Sequence, residues 1–66
     1  THFSDERLQA AIHMLKAEQQ QVIVMKYMED LDNQEIARIL RKPIGAIKSL
    51  QHRALASLQR ILQERK

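Results

Sequence analysis

Lys48, Ser49, His52 and Arg53 are the residues of this chain whose types and spacing suit a chemical task. Two adjacent pairs one helical turn apart share a face at 3.6 residues per turn. That face carries hydrogen-bond donors and no acid. Lys48 can donate to guanine O6 and N7, and Arg53 can do the same or grip a phosphate. His52 can donate to a base or a phosphate. Ser49, Ala46 and Gly45 are small, which lets a helix backbone come close to a ligand. The chemistry this set suits is recognition of base edges in a duplex major groove, each such contact contributing about 1–3 kcal/mol of discrimination. Lys48, Ser49, His52, Arg53 and Ala46 are therefore the candidate base readers.

Those side chains need a helix fixed in direction. Ile47, Leu50, Ala54, Leu58 and Ile61 recur at helical spacing and fall within a narrow arc, whereas Gly45, Lys48, Ser49, His52, Arg53, Ala56 and Arg60 fall opposite. A helix is expected over about 44–63, with the first group facing a core. Pro43 disfavours helical geometry at Lys42 and presets the first turn after it. Before that turn, Asp32 and Glu35 have the spacing of a capping box, which opens a short helix over about 32–40. Ile36, Ala37 and Leu40 form its inward face. A short helix, a tight turn and a longer helix make a helix-turn-helix over 32–60. In that geometry the first helix crosses the nucleic-acid backbone and the second enters the major groove. Asn33, Gln34, Arg38, Arg41, Lys42 and Gly45 are then the candidate phosphate contacts.

Two more helices are expected upstream. Ser4-Asp5-Glu6 resembles an N-cap with acids in the first turn, and Leu8, Ala11, Ile12 and Leu15 follow at helical spacing, which predicts a helix over about 5–14. A second helix covers about 17–29. Its centre, Val22 to Met28, is apolar nearly all round except for Lys26. A domain this small cannot wrap one helix on every side, so part of that surface is expected to serve a partner, with the alternative that the helix is simply the central core helix. Leu8, Ile12, Ile23, Val24, Tyr27 and Met28 are the candidates.

Composition agrees with an all-α domain spanning residues 1–66. One Gly and one Pro in 66 residues, with 44% hydrophobic residues, favour helices packed on a core. With no cysteine, neither a disulfide nor a thiolate metal site can staple the fold. No apolar run approaches about 18 residues, so no membrane span is expected. Residues 1–35 hold three basic and seven acidic side chains, net −4; residues 36–66 hold eight basic and one acidic, net +7. A molecule polarised in this way suits a polyanion at its basic half. His2 and His13 have no partners at ligand spacing, so no metal is expected. Asp32 and Glu35 are read as a cap and not as a catalytic dyad. With no nucleophile–base pair, metal cluster or glycine loop, neither an enzyme nor a small-molecule or cofactor site is expected.

The stretch from Leu15 to Leu58 also resembles region 4 of the sigma-70 family, most of all its extracytoplasmic-function (group 4) members. The matches are Leu15, Gln19, Val22, Tyr27, Leu31, Glu35-Ile36-Ala37, Pro43, Gly45, Lys48-Ser49 and His52-Arg53-Ala54. The resemblance spans about residues 8–62. It implies a reader of the promoter −35 element within bacterial RNA polymerase, cytoplasmic, with Lys48, Ser49, His52 and Arg53 on DNA. It implies further that the apolar surface of the first two helices and the end of the last accepts the β flap of the polymerase core, or an anti-sigma factor. There are departures. Lys16 stands where the family often has Pro, and Asp30 and Arg41 where it usually has Gly. Ala46 replaces Thr and Leu50 replaces Arg. Asp tolerates a left-handed backbone better than Arg does, so the Arg41 turn is expected either to be strained or to change shape. Two other readings remain at this point: a LuxR-like DNA-binding output domain, which shares the four-helix plan, and a protein-interaction module with an incidental basic face.

Overall fold

The computed structural model describes residues 6–64. Ser4 and Asp5, expected to open the first helix, lie outside them, as does His2. The described chain forms α1 (Glu6–His13), α2 (Ala17–Ile23), a π-helical segment (Val24–Met28), α3 (Asn33–Leu40) and α4 (Ile44–Glu64). It has the all-α, four-helix form with a C-terminal helix-turn-helix.

Helix α1 ends in a tightened turn, in which the Met14 and Leu15 amides donate to the Ala11 and Ile12 carbonyls. Lys16 is extended, with φ −60° and ψ 152°, and its carbonyl receives the Gln20 amide at 2.8 Å, so α2 starts afresh in a new direction.

The helix expected over about 17–29 is not one continuous α-helix. The Val24 amide still donates to Gln20, but past it the ladder widens and the Glu29 amide donates five residues back to the Val24 carbonyl at 3.0 Å. Each such bond spans one residue more than in an α-helix, and the faces slip in phase by about 100°. The slip resolves the all-round apolar pattern. Val22 and Ile23 are fully buried before it, and Val24, Met25 and Tyr27 are half-buried against the same core after it. The domain therefore wraps this helix more completely than uniform helical geometry predicts. Of its large apolar residues only Met28 is substantially exposed, at 44%.

The core is a single layer beneath α4. Ile47, Leu50, Ala54, Leu58 and Ile61 point into it from α4, Ala11, Ile12 and Leu15 from α1 and its turn, Val22 and Ile23 from α2, and Ile36 from α3. Each of α1, α2 and α3 packs against α4. The largest fully buried side chains, Ile23, Ile36, Ile47 and Val22, bring the central helices together near the start of α4. Each is worth about 1.5–3 kcal/mol in removal of apolar surface from water. No described polar or charged side chain is buried, so no polar network competes with this packing.

Candidate nucleic-acid interface

Both ends of α3 are fixed by local chemistry. At its start the Glu35 amide donates to Asp32 Oδ1 at 2.8 Å while Glu35 Oε1 accepts from the Asp32 amide at 2.9 Å, a complete capping box. At its end Arg41 adopts the left-handed conformation, φ 57° and ψ 47°, and the Lys42 amide donates to the Ala37 carbonyl at 3.0 Å. The turn keeps its shape without glycine, so Arg41 bears the strain of a Cβ in that region. Asp30, which leads into α3, has φ 57° as well. The Pro43 carbonyl then receives the Ala46 and Ile47 amides at 3.0 and 3.2 Å and starts α4.

Helix α4 carries Gly45, Lys48, Ser49, His52 and Arg53 on its exposed side, with Ala46 half-buried at its first turn. Lys48, Ser49, His52 and Arg53 together line a shallow depression. Arg53 Nε lies 3.4 Å from the Ser49 carbonyl, so its guanidinium leans back along the helix toward the other three. A Cβ built on Gly45 would meet nothing within 4 Å, and its φ is not positive. The fold itself therefore does not require glycine there.

The candidate phosphate contacts are not equivalent. Gln34, Arg38 and Arg41 are exposed. Asn33 is half-buried, and its Oδ1 accepts from Gln51 Nε2 at 2.7 Å, which leaves its amide hydrogens as the outward donors. At the same end of α3 stand the Asp32 and Glu35 carboxylates, whose charge opposes the approach of a phosphate. Lys42 Nζ is held 2.9 Å from Glu18 Oε2 on α2. The hydrogen bond and charge of Lys42 keep the Glu18 carboxyl below its ordinary value against a lesser opposing effect of desolvation, and the Arg53 charge adds the smallest contribution. Lys42 is thus already paired, and Glu18 sits within reach of two cations expected to face DNA.

The partner surface also needs correction. Ile12 and Ile23 lie in the core at 3% and 0% exposure and offer nothing to a partner. Periodicity placed them on an apolar face without showing which part of that face the domain itself covers. Leu8, Val24 and Tyr27 are half-buried and present edges, and Met28 is exposed. An open cleft runs along this flank between Ala17, Gln20, Gln21, Val24, Met25 and Glu29.

Sequence reasoning missed the Glu18–Lys42 pair and the tie between Gln51 and Asn33. Both join residues far apart in the chain, and no local spacing signals either one. Among the described residues no three His, Asp or Glu side chains stand together as a metal site, and no helix is long and apolar enough to cross a membrane.

Comparison with known proteins places this geometry in a lineage. Residues 5–58 match the family model described as sigma-70, region 4. An ECF RNA polymerase sigma factor, BldN of Streptomyces coelicolor, is 36% identical over 61 residues, covering 92% of this chain and 23% of the relative. The RNA polymerase sigma-E factor of Streptomyces antibioticus is 34% identical over 64 residues, covering 97% of this chain and 36% of the relative. The chain thus spans about a quarter and about a third of the lengths of these two proteins. No solved structure gives a significant match. With the family model covering most of the described helices, the chain belongs to the sigma-70 region 4 family, on the side of the extracytoplasmic-function sigma factors.

Proposed function

We propose that this domain reads the −35 element of a bacterial promoter as part of a sigma factor and so directs RNA polymerase to its start sites. The observation that carries the reading is the outer face of α4. Lys48, Ser49, His52 and Arg53 are exposed together, on a helix whose entry is fixed by the α3 capping box and the left-handed Arg41 turn. Gly45 supports it, because a glycine in the first turn of a helix weakens that helix and the fold gains nothing in return. Arg38 and Arg41 grip phosphates and set the register of α4 in the groove. Membership of the sigma-70 region 4 family favours this reading over a LuxR-type output domain.

The same reading assigns the flank of Leu8, Val24, Tyr27 and Met28 to the β flap of the polymerase core, and to an anti-sigma factor where one exists. The domain acts in the cytoplasm, by binding alone and without a cofactor. The test is selection of the 66-residue chain on a pool of randomised duplexes at low salt. Enrichment of a single short motif, with affinity falling steeply as salt rises, supports the proposal. Recovery of polymerase core without any motif or duplex binding refutes DNA reading and leaves an interaction module.

A further inference from the structure

Beyond the reading face, α4 continues past the turn that joins α1 to α2, and a groove lies between them. Lys16, Gln19, Arg53, Ser57 and Arg60 line it, over a floor that includes Leu15 and Ile61. Three cations from two separate elements converge there and no carboxylate lines the groove. Lys16, Arg53 and Arg60 are exposed, and neither Lys16 nor Arg60 is ion-paired among the described residues. Arg53 lines this groove and also the depression shared by Lys48, Ser49 and His52, so the two concavities adjoin at Arg53 along one track on α4.

The dimensions indicate what the track can hold. Ser49 and Arg60 are eleven residues apart on one helix, about 16 Å along its axis. A major groove is about 12 Å wide. With Ser49 against the bases, Arg53 comes to the groove rim and Arg60 lies beyond it, where a strand passes on its way out of the site. From these positions we infer that Lys16, Arg53 and Arg60 hold the sugar–phosphate backbone of the DNA flanking the motif read by α4. The inference rests on the DNA-reading proposal above and deepens it. The contact is indifferent to sequence, because cations on phosphates carry no base information. It also gives a role to the exposed Lys16 at the α1–α2 turn, whose side chain makes no capping hydrogen bond.

The experiment compares the 66-residue chain with its Lys16→Gln/Arg60→Gln variant on two duplexes bearing the selected motif. One duplex is trimmed to the motif and the other extends a full helical turn on both sides. Both substituted residues are exposed, and matching circular-dichroism melts establish that the variant is folded. On the long duplex the slope of log affinity against log salt should shrink by about 1.8, two phosphates at about 0.9 each. The loss of affinity between 50 and 200 mM salt then becomes roughly tenfold smaller. Preference for the motif over a scrambled sequence should be unchanged, and the trimmed duplex should bind both proteins alike. Equal losses on both duplexes, or no loss on either, overturn the flank contact while motif reading stands. A wild-type chain that ignores both duplexes overturns DNA reading itself. If that chain instead binds a polyglutamate peptide and loses it in the variant, the groove belongs to an acidic protein segment.

Discussion

Replacing Arg41 with glycine should make this domain more stable and a weaker binder of DNA at the same time. Arg41 has φ 57° and ψ 47°, where a side chain's Cβ crowds the following carbonyl at a cost of about 1–2 kcal/mol. Glycine has no Cβ and escapes that cost, but it gives back about 0.5–1 kcal/mol through its greater freedom in the unfolded chain. The net expectation is a gain of about 0.5–1 kcal/mol. For a domain of this size that raises the melting temperature by about 2–8 °C. Arg41→Ala keeps the strain and should stay within about 0.5 kcal/mol of the parent, as surface substitutions usually do. Arg41→Asn should fall between them, because asparagine tolerates the left-handed region better than most residues. Urea and thermal denaturation followed by far-ultraviolet circular dichroism give the order directly. Both Arg41→Gly and Arg41→Ala remove one phosphate-directed charge, so each should flatten the salt dependence of duplex binding by about 0.9. An Arg41→Gly variant no more stable than Arg41→Ala would refute the strain at Arg41. The turn would then not be held left-handed in solution.

Other outcomes follow from single contacts. Glu18→Gln should release Lys42 to a phosphate and steepen the salt dependence of duplex binding by up to about 0.9, measured by fluorescence anisotropy. The Glu18 carboxyl titrates below its ordinary value of 4.5. Its ion pair therefore contributes stability that is fully present above that value and lost as pH falls through the lower folded-state value. Acid denaturation curves of the parent and Glu18→Gln should diverge above that range and converge below it. Ile47→Ala empties a fully buried site and should cost about 2–5 kcal/mol, a large part of the roughly 3–10 kcal/mol available to a chain of this size. Its helical signal should be partly lost already at 25 °C. Asp32→Ala removes the acceptor for the Glu35 amide and should cost about 1 kcal/mol in urea unfolding. Lys48→Ala should flatten discrimination between motif and scrambled duplexes, whereas Arg38→Ala should weaken both alike. Equal loss on both duplexes for Lys48→Ala would remove it from the base-reading set.

What could be read from the residues alone was whatever short-range geometry governs. The α4 stripe from Ile47 to Ile61 buries the residues its spacing indicates, because a regular helix keeps a constant phase over its whole length. The Asp32–Glu35 box is local to one turn and forms as its spacing requires. Glycine's absence at Arg41 marked the turn where backbone strain resides. The segment Val24–Met28 was not legible in that way. Its widened turn is a choice between two backbone ladders, and periodicity analysis presumes only one of them. Ile12 and Ile23 were offered to a partner because spacing marks an apolar face without showing how much of it α4 covers. The Glu18–Lys42 and Gln51–Asn33 ties were hidden for a different reason: each depends on where α2 or α3 comes to rest against the rest of the fold.

Among the described residues, helix α4 supplies five of the eleven buried hydrophobic ones and touches each of the other α-helices. This arrangement has a consequence during synthesis. While residues 47–61 are still emerging from the ribosome, the three upstream helices have nothing to close against, and all are too short to persist alone in water. At about 5–20 residues per second that interval lasts on the order of one to three seconds. Val22, Ile23 and Ile36 spend it exposed to whatever holds nascent chains. The domain is born late and as a unit, its fold completed only when Ile61 has left the exit tunnel.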